Sequence, residues 1–149
     1  MSCSGRNILR RYALFGALFA LVSAWTGYAE AGVVARVSLS GQRMDVIVDG
    51  RPRYSWPVST ARAGYRTPTG TFKPQALAVW HRSTIYSGSP MPHSIFFHGG
   101  YAIHGSYETR YLGRPASHGC VRLHPSNAAT LFSLVRQYGS GNTVIRIVN

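Results

Sequence analysis

The chain has 149 residues, sixteen basic against four acidic side chains, a net charge of +12 and only two cysteines. That length allows one domain with a single core, and two cysteines exclude a disulfide-rich scaffold. The charge alone would suit a nucleic-acid binder, but the first thirty residues argue for a compartment without nucleic acid.

Arg6, Arg10 and Arg11 precede the apolar run Tyr12 to Trp25, and Tyr28-Ala29-Glu30-Ala31-Gly32 follows it. A basic start, an apolar middle and an Ala-x-Ala site ending at Ala31 are the three parts of a secretory signal peptide. The expected division is residues 1–31 as signal peptide and 32–149 as the working domain. An uncleaved anchor is the alternative. A span needs about 20 apolar residues, which this run reaches only if Gly27 and Tyr28 are counted. Arg10-Arg11 also permits twin-arginine export. The expectation is an exported protein of the periplasm or cell wall with no stable membrane span after cleavage.

Cleavage would remove Cys3 and leave Cys120 as a lone thiol in an oxidising compartment, with no partner for an intramolecular disulfide. The remaining chain would keep thirteen basic residues against three acidic ones, and all but Lys73 of the thirteen are arginines. Outside the cytosol such a charge points to an anionic wall polymer, an anionic membrane surface or carboxylate-rich substrates, not nucleic acid. The planar fork of arginine suits carboxylates better than lysine does.

In chain order, Val33 to Ser40 and Arg43 to Val48 are β-branched runs separated by Gly41-Gln42, and they predict a hairpin. Asp49-Gly50 is a strong two-residue turn signal leading into a third strand, Arg53 to Ser59, where Pro57 favours an edge position or a bulge. Thr60 to Phe72 is punctuated by glycine and proline and predicts a surface loop feeding a short strand at Gly70 to Lys73. Ala76 to His81 and Ser94 to His98 read as strands joined by a polar, aromatic-bearing loop that holds Ser83, Tyr86 and Met91-Pro92. After Gly99-Gly100, a strand over Tyr101 to Ile103 delivers His104. The convincing helix is Pro125 to Tyr138, with Pro125 in its first turn, Gly139 at its stop, and Leu131, Leu134, Val135 and Tyr138 on one face. A last strand spans Thr143 to Val148. Many short strands and one helix predict a mostly β domain.

The chemistry gathers in His104 to Leu123, HGSYETRYLGRPASHGCVRL. Cys120 is the reasonable nucleophile, and a thiol attacks as thiolate, usually with an imidazole to take its proton. If Ser117 to Leu123 is extended, His118, Cys120 and Arg122 share one face. Residues two apart on a strand lie about 6.7 Å apart along it, longer than the hydrogen-bond reach a base needs. The base is therefore left open among His118, His104 and His98, with His104 able to approach from a neighbouring segment. Gly119 permits a tight turn in which backbone N–H groups converge on a developing oxyanion. Arg122 can grip a carboxylate bidentately, and the shortage of acidic residues favours a substrate over an internal partner. His98, His104, His118 and Cys120 could ligate zinc by type, but their spacing is that of no common zinc motif, so neither metal nor cofactor is expected.

His104-Gly105 followed by Ser117-His118-Gly119-Cys120-Val121-Arg122-Leu123 resembles the signature of the L,D-transpeptidase catalytic domain of bacterial cell walls. The resemblance spans residues 33 to 148 in order. It takes in Val37-Ser38-Leu39 with Gln42, Val58-Ser59-Thr60, Thr67-Pro68-Thr69-Gly70-Thr71-Phe72, and Met91-Pro92 with Phe96. It implies a β-sandwich-like fold with one main C-terminal helix and a two-step acyl transfer between peptidoglycan stem peptides, donor and acceptor. By this resemblance Cys120 is the nucleophile, His104 its base, and the Gly105 carbonyl orients His104. Backbone amides at Gly119 and Cys120 hold the oxyanion, and His118 supports the site. Arg122, Ser117, Tyr86, Met91 and Ser83 fall to the substrate cleft. The sequence shows no wall-binding repeat and no extra N-terminal domain of the kind many relatives carry. The acceptor stays open among another stem, a wall-anchored protein and water. Water would make the protein an L,D-carboxypeptidase, and an inert Cys120 would leave a basic wall-binding module.

Overall fold

The computed structural model describes residues 32–149, so the expected signal peptide lies outside the described residues. Strands β1 (Val33–Ser38), β2 (Arg43–Val48), β3 (Arg51–Pro57), β4 (Gly70–Phe72) and β9 (Thr143–Val148) form one sheet in the order β3-β2-β1-β9-β4. Strands β5 (Ala76–Ala78), β6 (Ser94–His98), β7 (Tyr101–Gly105) and β8 (Val121–Leu123) form the second, in that order. Helix α1 (Pro125–Tyr138) packs against both β1 and β7.

The alternation visible in the sequence decides which face of each strand turns inward. In β1 and β9 every second residue is buried: Val33, Ala35 and Val37 face Thr143, Ile145 and Ile147 across a parallel ladder. Met44 and Val46 of β2 extend that layer. The second sheet contributes Ile95, Phe97, Ile103, Val121 and Leu123, and α1 adds Ala128, Leu131, Phe132 and Val135. Each large apolar side chain so enclosed contributes about 1.5–3 kcal/mol relative to exposure. The mostly β, two-sheet, one-helix expectation holds.

Several local expectations hold in detail, and others shift. Asp49 and Gly50 both have positive φ, 51° and 73°, as the tight turn between β2 and β3 requires. β3 lies at the sheet edge as Pro57 suggests, but it runs Arg51–Pro57, displaced by an irregularity at Val46/Ile47 in its pairing with β2. The strand expected over Ala76 to His81 stops at Ala78. Helix α1 begins and ends where Pro125 and Gly139 place it, capped by the His124 side chain accepting from the Ser126 N–H. Its buried stripe includes Ala128 and Phe132, while Leu134 and Tyr138 are only partly buried.

Gln42 explains why the first hairpin is tied to the segment after β3. Its buried amide donates to the Leu39 carbonyl (2.7 Å) and the Thr60 hydroxyl (2.6 Å) and accepts from the Thr60 N–H (3.0 Å). A buried amide satisfied this completely fixes the path of the chain toward the site.

Candidate active site

β7 and β8 run parallel, with Ile103 opposite Val121, His104 opposite Arg122 and Gly105 opposite Leu123. Parallel neighbours need a crossover of a dozen or more residues, and the stretch from Ser106 to Cys120 supplies it, with a 3-10 turn at Thr109–Tyr111. The sixteen-residue separation of His104 and Cys120 is thus a crossover between adjacent strands. Cys120 immediately precedes β8, and its thiol lies by the Ala102 N–H, one strand over from His104.

The run from Ser117 to Leu123 is not extended throughout, which corrects the expectation of one continuous strand face. Only Val121–Leu123 is strand, and the chain turns at Gly119, whose φ is 135°. A Cβ on Gly119 would lie 2.5 Å from the Tyr101 ring and 2.9 Å from the Arg66 carbonyl oxygen. The turn is held by Ser117, whose hydroxyl donates to the Cys120 carbonyl (2.7 Å) and accepts from the Gly119 N–H (3.0 Å). Thr67 braces it from outside, donating to the Gly119 carbonyl at 2.8 Å while accepting from the Ala61 N–H. The Gly119 N–H is therefore engaged within the turn. No acceptor among the described residues engages the Cys120 N–H. The Ser117 hydroxyl is likewise committed to the turn, although the residue lines the cleft.

His104 is 5 % exposed. Its Nδ1 lies 2.7 Å from the Gly105 carbonyl oxygen. A carbonyl only accepts, so Nδ1 carries the proton and Nε2 keeps its lone pair. Burial, with the nearby Arg122 and His81 adding, lowers its pKa to about 4 against the opposing Gly105 hydrogen bond. The imidazole is neutral at pH 7. Burial also pushes the Cys120 thiol up, opposed by the Ala102 N–H and Arg122. Both shifts favour a neutral thiol–imidazole pair over a preformed ion pair. Gly105 fits where it does because a Cβ would meet Pro92 Cγ at 3.0 Å and Pro125 Cα at 3.1 Å.

A cavity of about 540 Å³ brings together Cys120, His104, His118, Arg122, Ser117, Tyr86, Met91 and Ser83. His98 does not line it and instead packs on Phe72 and Tyr101, which removes it as a base for Cys120. His118 is clasped between aromatic rings, stacked on Tyr86 at 4.1 Å and edge-on to Tyr65 at 4.7 Å. Desolvation, then the cations of Arg62 and Arg122, lower its pKa. Ser83 accepts from the N–H groups of Ile85 and Tyr86, so its hydroxyl shapes the loop bearing Tyr86. Arg122 has an internal partner after all, donating to Glu108 Oε2 at 2.8 Å. The acid shortage argued against that pairing, but the crossover carries Glu108 to the β8 side.

His81 and Tyr101 also line the cavity without having been marked as site residues by the sequence, and so does Phe96, which the sequence marks only through the Met91-Pro92 segment. Tyr101 lies in a strand pattern that reads as core, and nothing local distinguishes it. Thr67 lies in the T-P-x-G-x-F element, which is the one signal that could have marked it. Among the described residues, no group of three or more histidine, cysteine or carboxylate side chains could hold a metal ion.

The model of the L,D-transpeptidase catalytic domain matches residues 32–147. This chain belongs to that family. Among solved structures, an L,D-transpeptidase from Mycobacterium smegmatis superposes with a TM-score of 0.71 at 25% identity, covering 80% of this chain and 59% of that one. The L,D-transpeptidase of Stackebrandtia nassauensis gives 0.69 at 28% identity, covering 86% of this chain and 62% of that one. That of Xylanimonas cellulosilytica gives 0.67 at 28%, covering 79% and 61%. This L,D-transpeptidase domain thus spans roughly three-fifths of each of those chains. Comparison with curated proteins gave no significant match. Among the described residues no helix is long and apolar enough to cross a membrane.

Proposed function

We propose that this is an exported cysteine L,D-transpeptidase that acts in the periplasm or cell wall, with Cys120 as nucleophile and His104 as general base. The donor's amide carbonyl, between an L- and a D-centre of a peptidoglycan stem tetrapeptide, sits in the 540 Å³ cavity. The Cys120 thiol passes its proton to His104 Nε2 as sulfur bonds to the carbonyl carbon. The C–N bond then breaks, and the leaving D-alanine nitrogen takes that proton, leaving a thioester. An amine of a second stem attacks the thioester. His104 accepts the amine proton and returns it to sulfur as the C–S bond breaks, forming the cross-link and restoring the thiol.

The observation that carries the reading is the 2.7 Å contact between His104 Nδ1 and the Gly105 carbonyl oxygen. The Gly105 carbonyl fixes the proton on Nδ1, leaving a basic Nε2 on a strand beside Cys120 and facing the same cavity. The neutral resting pair fits a base that takes the proton during attack, and the Cys120 N–H is the available oxyanion donor. His118, held by Tyr86 and Tyr65, supports the wall without serving as base. Export rests on the charge and hydropathy pattern of residues 1–31.

A carbapenem presents a strained amide to the same nucleophile. Mass spectrometry should find one covalent adduct on the wild-type protein, none on Cys120→Ala, and much slower labelling of His104→Ala than of His118→Ala. An adduct on Cys120→Ala sinks the assignment of the nucleophile, and the reverse order of the two histidines sinks that of the base. Incubation with purified walls should yield new muropeptide dimers. Trimmed tripeptides alone would make the protein a carboxypeptidase.

A further inference from the structure

Behind His118 and Arg122 lies a second hollow, of about 500 Å³, which these two residues and Ser89 share with the Cys120 cavity. Cys120 itself lines only the first. The second hollow is lined by three arginines, Arg62, Arg114 and Arg122, against one acid, Glu108, which is engaged with Arg122. Arg62 and Arg114 have no ion pair or side-chain hydrogen bond among the described residues. Their guanidinium groups rest on aromatic faces instead, Arg62 4.9 Å from the Tyr65 centroid and Arg114 5.1 Å from that of Tyr111. A cation held against a ring keeps its N–H donors free in the plane of the fork.

The backbones that carry the two arginines are fixed to each other. The Arg62 N–H donates to the Ser117 carbonyl (3.0 Å), the Ser59 hydroxyl donates to the Arg114 carbonyl (2.8 Å), and the Gly113 N–H donates to the Val58 carbonyl (2.8 Å). Two forks on braced backbones, with two cations in excess, give this hollow a positive lining next to the Cys120 cavity.

We propose that this hollow binds a carboxylate of the acceptor peptide, holding it while its amine reaches the thioester past His118. The proposal rests on the transferase reading and names the acceptor's recognition group. The forks of Arg62 and Arg114 match a carboxylate bidentately, and a donor peptide occupying the first cavity leaves this side for the second substrate.

The test compares an acceptor peptide as free carboxylate and as carboxamide, scoring dimer formed per thioester formed. For the wild-type protein, amidation should raise the acceptor KM about tenfold or more, because a charge-assisted hydrogen bond to a carboxylate strengthens binding by roughly that factor. The double variant Arg62→Gln, Arg114→Gln should show the raised KM for both forms and no discrimination, while keeping the wild-type circular dichroism and melting transition. A wild type indifferent to amidation, or a double variant that still discriminates, overturns the proposal. Binding is read separately in Cys120→Ala by titrating the same two peptides against the arginine Nε–H resonances. Shifts at Arg62 and Arg114 with the carboxylate only are expected, and this decides the site even if no acyl adduct ever forms. Inorganic phosphate that displaces the peptide at far lower concentration than acetate would make the hollow a phosphate site and overturn the carboxylate assignment.

Discussion

A neutral, buried His104 makes the fold itself sensitive to acid. Its folded-state pKa is about 4, lowered chiefly by burial, against 6.5 for the free imidazole. Between those values the unfolded chain binds a proton that the folded one refuses. Stability therefore falls as pH drops through 6.5, is intact above it, and has lost the full contribution below about 4. Moving from pH 7.5 to 4.5 removes about 2–3 kcal/mol by this group alone. Urea unfolding at pH 7.5, 5.5 and 4.5 measures it, with His104→Gln as the control that cannot titrate. The wild type should lose about 2–3 kcal/mol more than the variant over that range, with roughly half of it already gone at pH 5.5. Parallel pH profiles for the two proteins, agreeing within about 0.5 kcal/mol, would refute a depressed His104 pKa. The neutral-base mechanism would fall with it.

The same group sets the acid limb of Cys120 acylation, which should fall near pH 4 and not near 6.5 when carbapenem labelling is followed by stopped-flow absorbance. Gly119→Ala should destabilise the domain by about 2–5 kcal/mol in denaturant titration, because a left-handed φ and a blocked Cβ position add their costs. A loss under about 1 kcal/mol would mean that the turn relaxes freely. Ser117→Ala strips the buried Gly119 N–H and Cys120 carbonyl of a partner each, and should cost about 2–4 kcal/mol and slow acylation, as read in the same two assays. Gln42→Ala, at a residue that does not line the Cys120 cavity, should cost about 2–4 kcal/mol in urea, and carbapenem labelling of the folded protein should slow less than in Ser117→Ala.

Where the chain announces its own geometry, the sequence is legible. The alternation of Val33, Ala35 and Val37 shows which side of β1 turns inward, and Pro125 with Gly139 brackets the helix. Asp49-Gly50 specifies a turn because both residues must take positive φ. That Cys120 and His104 come together is readable because the His-Gly and Ser-His-Gly-Cys runs lie a crossover's length apart, and the structure sets them at one cavity with Gly105 bonded to the imidazole. What escapes is whatever is settled by contacts far along the chain. Glu108 reaches Arg122 only because the crossover closes, and no local signal ties them. The turn at Ser117 to Cys120 looks like strand until the Ser117 hydroxyl and Thr67 are seen to hold it. The clasp on His118 joins Tyr65 and Tyr86, 53 and 32 residues upstream, from two loops that the sequence leaves unrelated.

The crossover between β7 and β8 has a consequence for how such a site can change over time. His104 and the strand that follows Cys120 are joined by a ladder of backbone hydrogen bonds, while Glu108, Tyr111 and Arg114, which line the second hollow, ride on the connecting loop. Lengthening a loop between fixed ends costs only about 0.6 kcal/mol per doubling of its length. Insertions and substitutions between Ser106 and Ala116 can therefore reshape what the protein accepts while His104 and Cys120 keep their register. Selectivity and reactivity are mechanically separable in this architecture, and a library confined to that loop should change partner choice far more readily than it abolishes acylation.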